Sequence, residues 1–340
     1  MHAINQTPTG RPSWQAELGQ AWARLDDLLA ALGLTPESCG VSAEAAASFP
    51  LRVPRGFVAR MRHGDPLDPL LRQVLPVEAE NVVLPGYGAD PVGDLASVRA
   101  PGLLQKYAGR ALLITTGACA VHCRYCFRRA FPYAEQSATP GALAEAVATI
   151  AADDSLHEII LSGGDPLALN NARLGEILRS LAGIPHIRRI RLHTRVPVVL
   201  PERIDAELLK LLRTTGRPVV TVIHANHANE IDAGVTAALQ ELRGVSAALL
   251  NQSVLLRGVN DSADALTALS EKLFSAGVLP YYLHQLDRVA GAAHFLVSDQ
   301  EARTLIAAMA ATLPGYLVPR LVREIPGAAA KTPLEYFDAT

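Results

Sequence analysis

Cysteine is scarce in this 340-residue chain, with four in all. Four thiols, three of them crowded into one stretch, do not make a disulfide framework. Charge of one sign is lacking too: the formal net charge is −2, and the absence of a long basic run argues against a dedicated nucleic-acid surface. No apolar run approaches the ~20 residues that a membrane span requires. The first ten residues, Met1 to Gly10, are polar and have no apolar h-region, so no secretory signal is expected. These absences point to a cytoplasmic protein without membrane or nucleic-acid partners. What is plentiful is apolar residues, at 49%. That content, over this length, allows one large α/β domain with an extension.

The chain is organised around Cys119-Ala120-Val121-His122-Cys123-Arg124-Tyr125-Cys126-Phe127-Arg128-Arg129. Three thiols are spaced C-x3-C-x2-C directly after an apolar run, Ala111 to Thr116, that reads as a buried strand. They therefore belong on a loop at the C-terminal end of a strand, where α/β proteins place their chemistry. Incidental clustering of buried cysteines is one reading. A structural zinc site with His122 as fourth ligand is another, but such sites usually draw on two separated knuckles and no second one appears. An iron–sulfur cluster is the third. Four thiolates are usual, so three would leave one iron open.

Ser13 can cap a helix running to about Leu32, with Leu18, Trp22, Leu25, Leu29 and Leu32 on one face and Gly33 at its end. Cys39 is alone and reads as structural. A Pro-rich region follows, with short helices near Phe57–Met61 and Leu70–Val74, and residues 1–99 read as an α-helical N-terminal extension. Strand-like runs then appear at 111–116, 157–162, 188–194, 218–223, 249–256 and 279–286. Helical patterns separate them, and a helix at 299–311 and a strand-like run at 317–323 close the series. Six alternating units predict an α/β fold with a parallel sheet. Right-handed crossovers would curl it into a partial (β/α)6 TIM-like barrel over residues 100–315, followed by a segment at 316–340.

Polar groups gather at the predicted strand ends: Ser162-Gly163-Gly164-Asp165-Pro166, His193-Thr194-Arg195, His224-Ala225-Asn226-His227 and Asn251-Gln252-Ser253. Each alone reads as a turn or a satisfied core polar residue. Together on one rim they favour a ligand-lined cavity, because buried polar groups cost free energy unless something uses them. Near the end of the chain, Ile325-Pro326-Gly327-Ala328-Ala329-Ala330-Lys331-Thr332-Pro333 sets one lysine among small residues. Such residues let a lysine enter a crowded site and form a Schiff base.

The cysteine loop, with an aromatic before its last cysteine, resembles the radical S-adenosylmethionine (SAM) enzymes. Four further stretches narrow the likeness: Arg128-Arg129, NQSVLLRGVN from Asn251, PYYLHQLDRVAGAAHF from Pro280, and PGAAAKTP. From about Arg52 onward the chain is similar to the lysine 2,3-aminomutases. That resemblance implies a [4Fe-4S] cluster on Cys119, Cys123 and Cys126, with SAM on the open iron. It implies pyridoxal 5′-phosphate (PLP) held by Lys331, with Tyr107 and Arg110 near PLP. Gln252 would lie near SAM, and Gly163, Gly164 and Asp165 would receive the SAM amino group. Arg128 would meet the carboxylate of L-lysine, and Asp287 and Glu324 its ε-ammonium. A flavodoxin- or ferredoxin-type electron donor follows.

Two departures stand out. The family usually has aspartate where Glu324 stands and a glycine run where Ala328 to Ala330 stand, so the ε-amino pocket is expected to be reshaped. The cysteine-bearing zinc tail of the longer catabolic members is absent from this sequence. The short form resembles the members that make (R)-β-lysine for modification of elongation factor P, which implies a functional link to that factor and its lysyl ligase. The alternatives are a catabolic lysine aminomutase, a radical SAM aminomutase on another amino acid, and a non-catalytic iron–sulfur or zinc docking protein. The last would not need Lys331 in a small-residue loop.

Overall fold

Among the described residues, the alternation of apolar runs and amphipathic segments builds one ten-stranded sheet whose strands neighbour each other in chain order. The coordinates are a computed structural model, and the structure describes residues 13–136 and 139–334. The stretch Met1 to Gly10 lies outside the described residues. The strands are β1 (Val98–Ala100), β2 (Leu103–Tyr107), β3 (Arg110–Thr116), β4 (Glu158–Gly163), β5 (Arg189–Thr194), β6 (Val219–His224), β7 (Ala248–Val254), β8 (Leu279–His284), β9 (Arg320–Arg323) and β10 (Thr332–Pro333). From β3 to β9 every neighbouring pair is parallel. β1, β2 and β10 add antiparallel edges. The strand-like run at 317–323 thus supplies a seventh parallel strand, and all seven present their C-terminal ends on one rim.

Each crossover carries a helix: Pro140–Ala151, Asn171–Ala182, Ala206–Arg213, Ala233–Arg243, Ala263–Ser275 and Asp299–Thr312. Thr139, Asn170, Asp205, Asp232, Ser262 and Ser298 cap their N-termini, each side chain accepting a backbone N–H. A cap of this type stabilises a helix by roughly 1 kcal/mol. The caps fix where each loop stops, and therefore the length of the rim loops.

The N-terminal region departs from the sequence reading. The expected helix from Ser13 to Leu32 is two helices, Trp14–Gly19 and Leu25–Ala31. Between them the Trp22 backbone exchanges hydrogen bonds with Val53, at 2.8 and 2.9 Å. A long-range bridge outcompetes local periodicity there. Ser13 does cap the first helix, and Gly33 takes φ +66° at the end of the second. The region packs directly on the sheet layer. Trp14, Leu28, Val53, Phe57, Leu70 and Val74 belong to the same buried cluster as Leu113, Ile159, Leu192 and Ile223. Cys39 packs against that cluster.

Candidate active site

The thirteen residues to which the family resemblance gives a cofactor or substrate role all line one cavity of about 370 Å³ at the strand rim. It has two chemically different ends.

One end is the cysteine loop. Cys119, Cys123 and Cys126 are free thiols. Burial raises Cys119, and burial with the neighbouring Cys123 pushes Cys126 up to about 11. Among the described residues no group of three His, Cys, Asp or Glu converges on a single ion, so the thiols share a wall without forming a mononuclear site. His122 does not join them. Its Nδ1 lies 2.7 Å from the Pro50 carbonyl oxygen and its ring stacks on Phe49. The loop is fastened from behind by the N-terminal layer. Arg124 donates to Glu80 at 2.7 and 2.6 Å and to the Ala45 carbonyl. Arg195, at the end of β5, reaches over from the other side. Its Nη1 lies 2.7 Å from the Cys123 Sγ, and its Nη2 donates to Glu230 at 3.0 Å and Gln73 at 2.7 Å.

The Gly163-Gly164-Asp165 segment serves this loop from below. The Gly164 N–H donates to Thr116 O at 2.7 Å, and the Asp165 N–H to Ala118 O at 2.8 Å. A Cβ on Gly164 would stand 2.3 Å from Ala118 O, and one on Gly163, at φ +112°, 2.8 Å from Thr116 O. Asp165 spends its carboxylate on Leu167 N, Thr194 Oγ1, Arg195 N and Val196 N. It therefore ties the β4 loop to the β5 loop.

The other end is charged. The β2–β3 hairpin pairs Tyr107 with Arg110, and the Arg110 guanidinium lies over the Tyr107 ring. Lys331, just before β10, donates to Glu324, just after β9. The Tyr107 hydroxyl donates to the other Glu324 oxygen at 2.9 Å. Burial would raise Glu324, but Lys331, Lys106 and Tyr107 outweigh it and hold the carboxyl at about 2. Arg128 donates from Nε to Asp94 at 2.7 Å and from Nη1 to Ser162 Oγ at 3.3 Å. Asp287 differs from the other acids: among the described residues no hydrogen bond reaches its carboxylate, and burial raises it to about 7 despite Lys331.

Strand alternation decides which rim groups face the cavity. On β7, Gln252 and Val254 line it, while Asn251 and Ser253 bond to Ala225 instead. Asn226 is fully buried and donates to Tyr125 and Gln73. His193, His224 and His284, from β5, β6 and β8, do line the cavity. Burial first, then nearby cations, holds all three below the ordinary imidazole range, His224 at about 3. Sequence reading missed Asp94 and Lys106. The first lies in an irregular stretch, and the second had no motif to mark it.

A model described as the radical SAM superfamily matches residues 113–262, from β3 through the cysteine loop to the start of the fifth crossover helix. Over 335 residues the chain is 47% identical to the L-lysine 2,3-aminomutase of Escherichia coli (strain K12), covering 98% of each protein. It is 44% identical over 334 residues to that of Haemophilus influenzae, covering 98% of this chain and 99% of the relative. With that of Clostridium subterminale the identity is 33% over 322 residues, 94% of this chain and 77% of the relative. Family likeness from end to end and a cavity that gathers the thiols, the lysine and the acids agree: the chain belongs to the L-lysine 2,3-aminomutase family.

Proposed function

We propose that this protein is a radical SAM, PLP-dependent isomerase that moves the α-amino group of L-lysine to Cβ. The product is (R)-β-lysine, destined through its ligase for elongation factor P, and a flavodoxin- or ferredoxin-type protein supplies the electron. The observation that carries the reading is the shared cavity, which holds three thiols at one end, a half-buried lysine at the other, and an acid without a donor beside it. In this reading the parallel strands form a partial barrel, preceded by a helical N-terminal extension and followed by a segment that carries the PLP lysine.

The residues present fit the groups the reaction needs. Three thiolates leave one iron of a four-iron cluster open. Lys331 reaches the cavity from a loop of small residues, with Tyr107 and Arg110 beside it. The Gln252 side chain has no protein hydrogen bond among the described residues and lines the cavity. When bound, the cluster with SAM supplies hydrogen-atom abstraction, and PLP supplies a covalent hold on the migrating amine.

The protein's own part is orientation. Arg128 takes the substrate carboxylate and Asp287 accepts the distal ammonium, which spans lysine between two charges and presents one Cβ hydrogen. Glu324 accepts a hydrogen bond from Lys331 and orients it. The neutral histidines keep the middle of the cavity free of competing cations. The test is an anaerobic assay of reconstituted protein with SAM, PLP, dithionite and L-lysine, with chiral analysis. (R)-β-lysine supports the reading. The (S) isomer redirects it to a catabolic aminomutase, and deoxyadenosine without β-lysine overturns the substrate.

A further inference from the structure

Asp94 is a hub that the site described so far leaves unexplained. It is almost fully buried, with Oδ2 2.7 Å from Arg128 Nε and Oδ1 2.7 Å from Lys106 Nζ. Paired with Arg128 alone, this carboxylate would cancel the charge that a substrate carboxylate must find. Lys106 restores it, because the three groups together carry one net positive charge. Its Nζ also donates to Val92 O at 2.8 Å and lies 3.4 Å from Glu324 Oε1. A single ammonium thus touches the partner of the carboxylate-binding arginine and the acid that holds Lys331.

We propose that Lys106 is a specificity-determining residue. It offsets Asp94 so that Arg128 can take a carboxylate, and it occupies Glu324 so that Asp287 is left to meet the distal ammonium. This deepens the reading of L-lysine as substrate and rests on it. Asp94 stays charged in support of it: burial pushes its carboxyl up, but Arg128 and Lys106 outweigh burial and hold it below its ordinary value. A compact ammonium suits the post, since it can bridge two acids on a flexible stem.

The test is anaerobic calorimetry on PLP-loaded, cluster-reconstituted enzyme without SAM, titrated with L-lysine and with L-lysinamide, which lacks the carboxylate. Lys106→Met is expected to bind L-lysine more weakly by about thirtyfold or more, as loss of one partner from a buried charge pair does. L-lysinamide is expected to change much less, so the preference between the two ligands shrinks. Lys106→Arg is expected to restore that preference. Equal weakening of both ligands, no weakening of either, or loss of PLP from the variant would overturn the proposal. If Lys106→Met does not fold, Lys106→Gln is titrated in its place. A wild type that binds neither ligand would instead overturn the substrate reading and this proposal with it.

Discussion

The two ends of the cavity are built by opposite means. At the thiol end almost every polar group is spent on the protein itself. Asp165 satisfies two loops, Arg195 is held by Glu230 and Gln73, and the glycines leave no room for a Cβ. At the lysine end the charges are paired with one another, Lys331 with Glu324 and both Arg128 and Lys106 with Asp94, and Asp287 is left with no donor among the described residues. A closed hydrogen-bond set fixes geometry, whereas an open charge set can exchange partners. The first suits a group that must stay in place through every turnover. The second suits a substrate that must enter and leave.

Three experiments break or sharpen this contrast. The largest effect is expected from Lys331→Ala, which should abolish turnover while the electron paramagnetic resonance signal of the cluster stays intact. Loss of that signal would mean that the two ends are not separately built. Next is Gly164→Ala. The added methyl meets backbone on the cysteine loop, and overpacking of this kind costs about 1–3 kcal/mol. Iron retained after reconstitution should fall, with a lower thermal midpoint.

The gentlest probe is pH. Asp287 must be charged to hold an ammonium, and its carboxyl titrates at about 7. L-lysine affinity should therefore rise with pH, approaching tenfold per unit below 7 and levelling above it. Asp287→Asn should flatten that profile. The stability effect has the opposite sign. The folded state keeps this proton where the unfolded chain has lost it, so stability falls as pH rises from about 4 to about 7. Calorimetric titrations at several pH values, with thermal melts alongside, check both.

Much of the sheet layer was legible because its signals are local. Apolar runs gave β3 to β9, and the helical patterns between them gave the crossover helices. The thiols and Lys331 were legible because their spacing and neighbours are unusual. What escaped depends on contacts distant in sequence. Trp22 breaks a well-patterned helix because Val53 waits for its backbone. Asp94 in its loop looks like any surface acid until folding sets it between Arg128 and Lys106. Asp165 was visible as part of a loop, but nothing in its sequence says that its oxygens face backbone donors. His122 sits among cysteines in sequence and turns away from them in space.

The strand order carries one more consequence. Because neighbours in the sheet are neighbours in the chain, a chain emerging from the ribosome can add strands in sequence from one edge. The cysteine loop and the β4 and β5 loops that brace it belong to the early strands. Lys331 stands just before β10, a two-residue strand at the last edge. Synthesis therefore delivers the cysteine loop and the strands that brace it before Lys331, which reaches the far end of the cavity last.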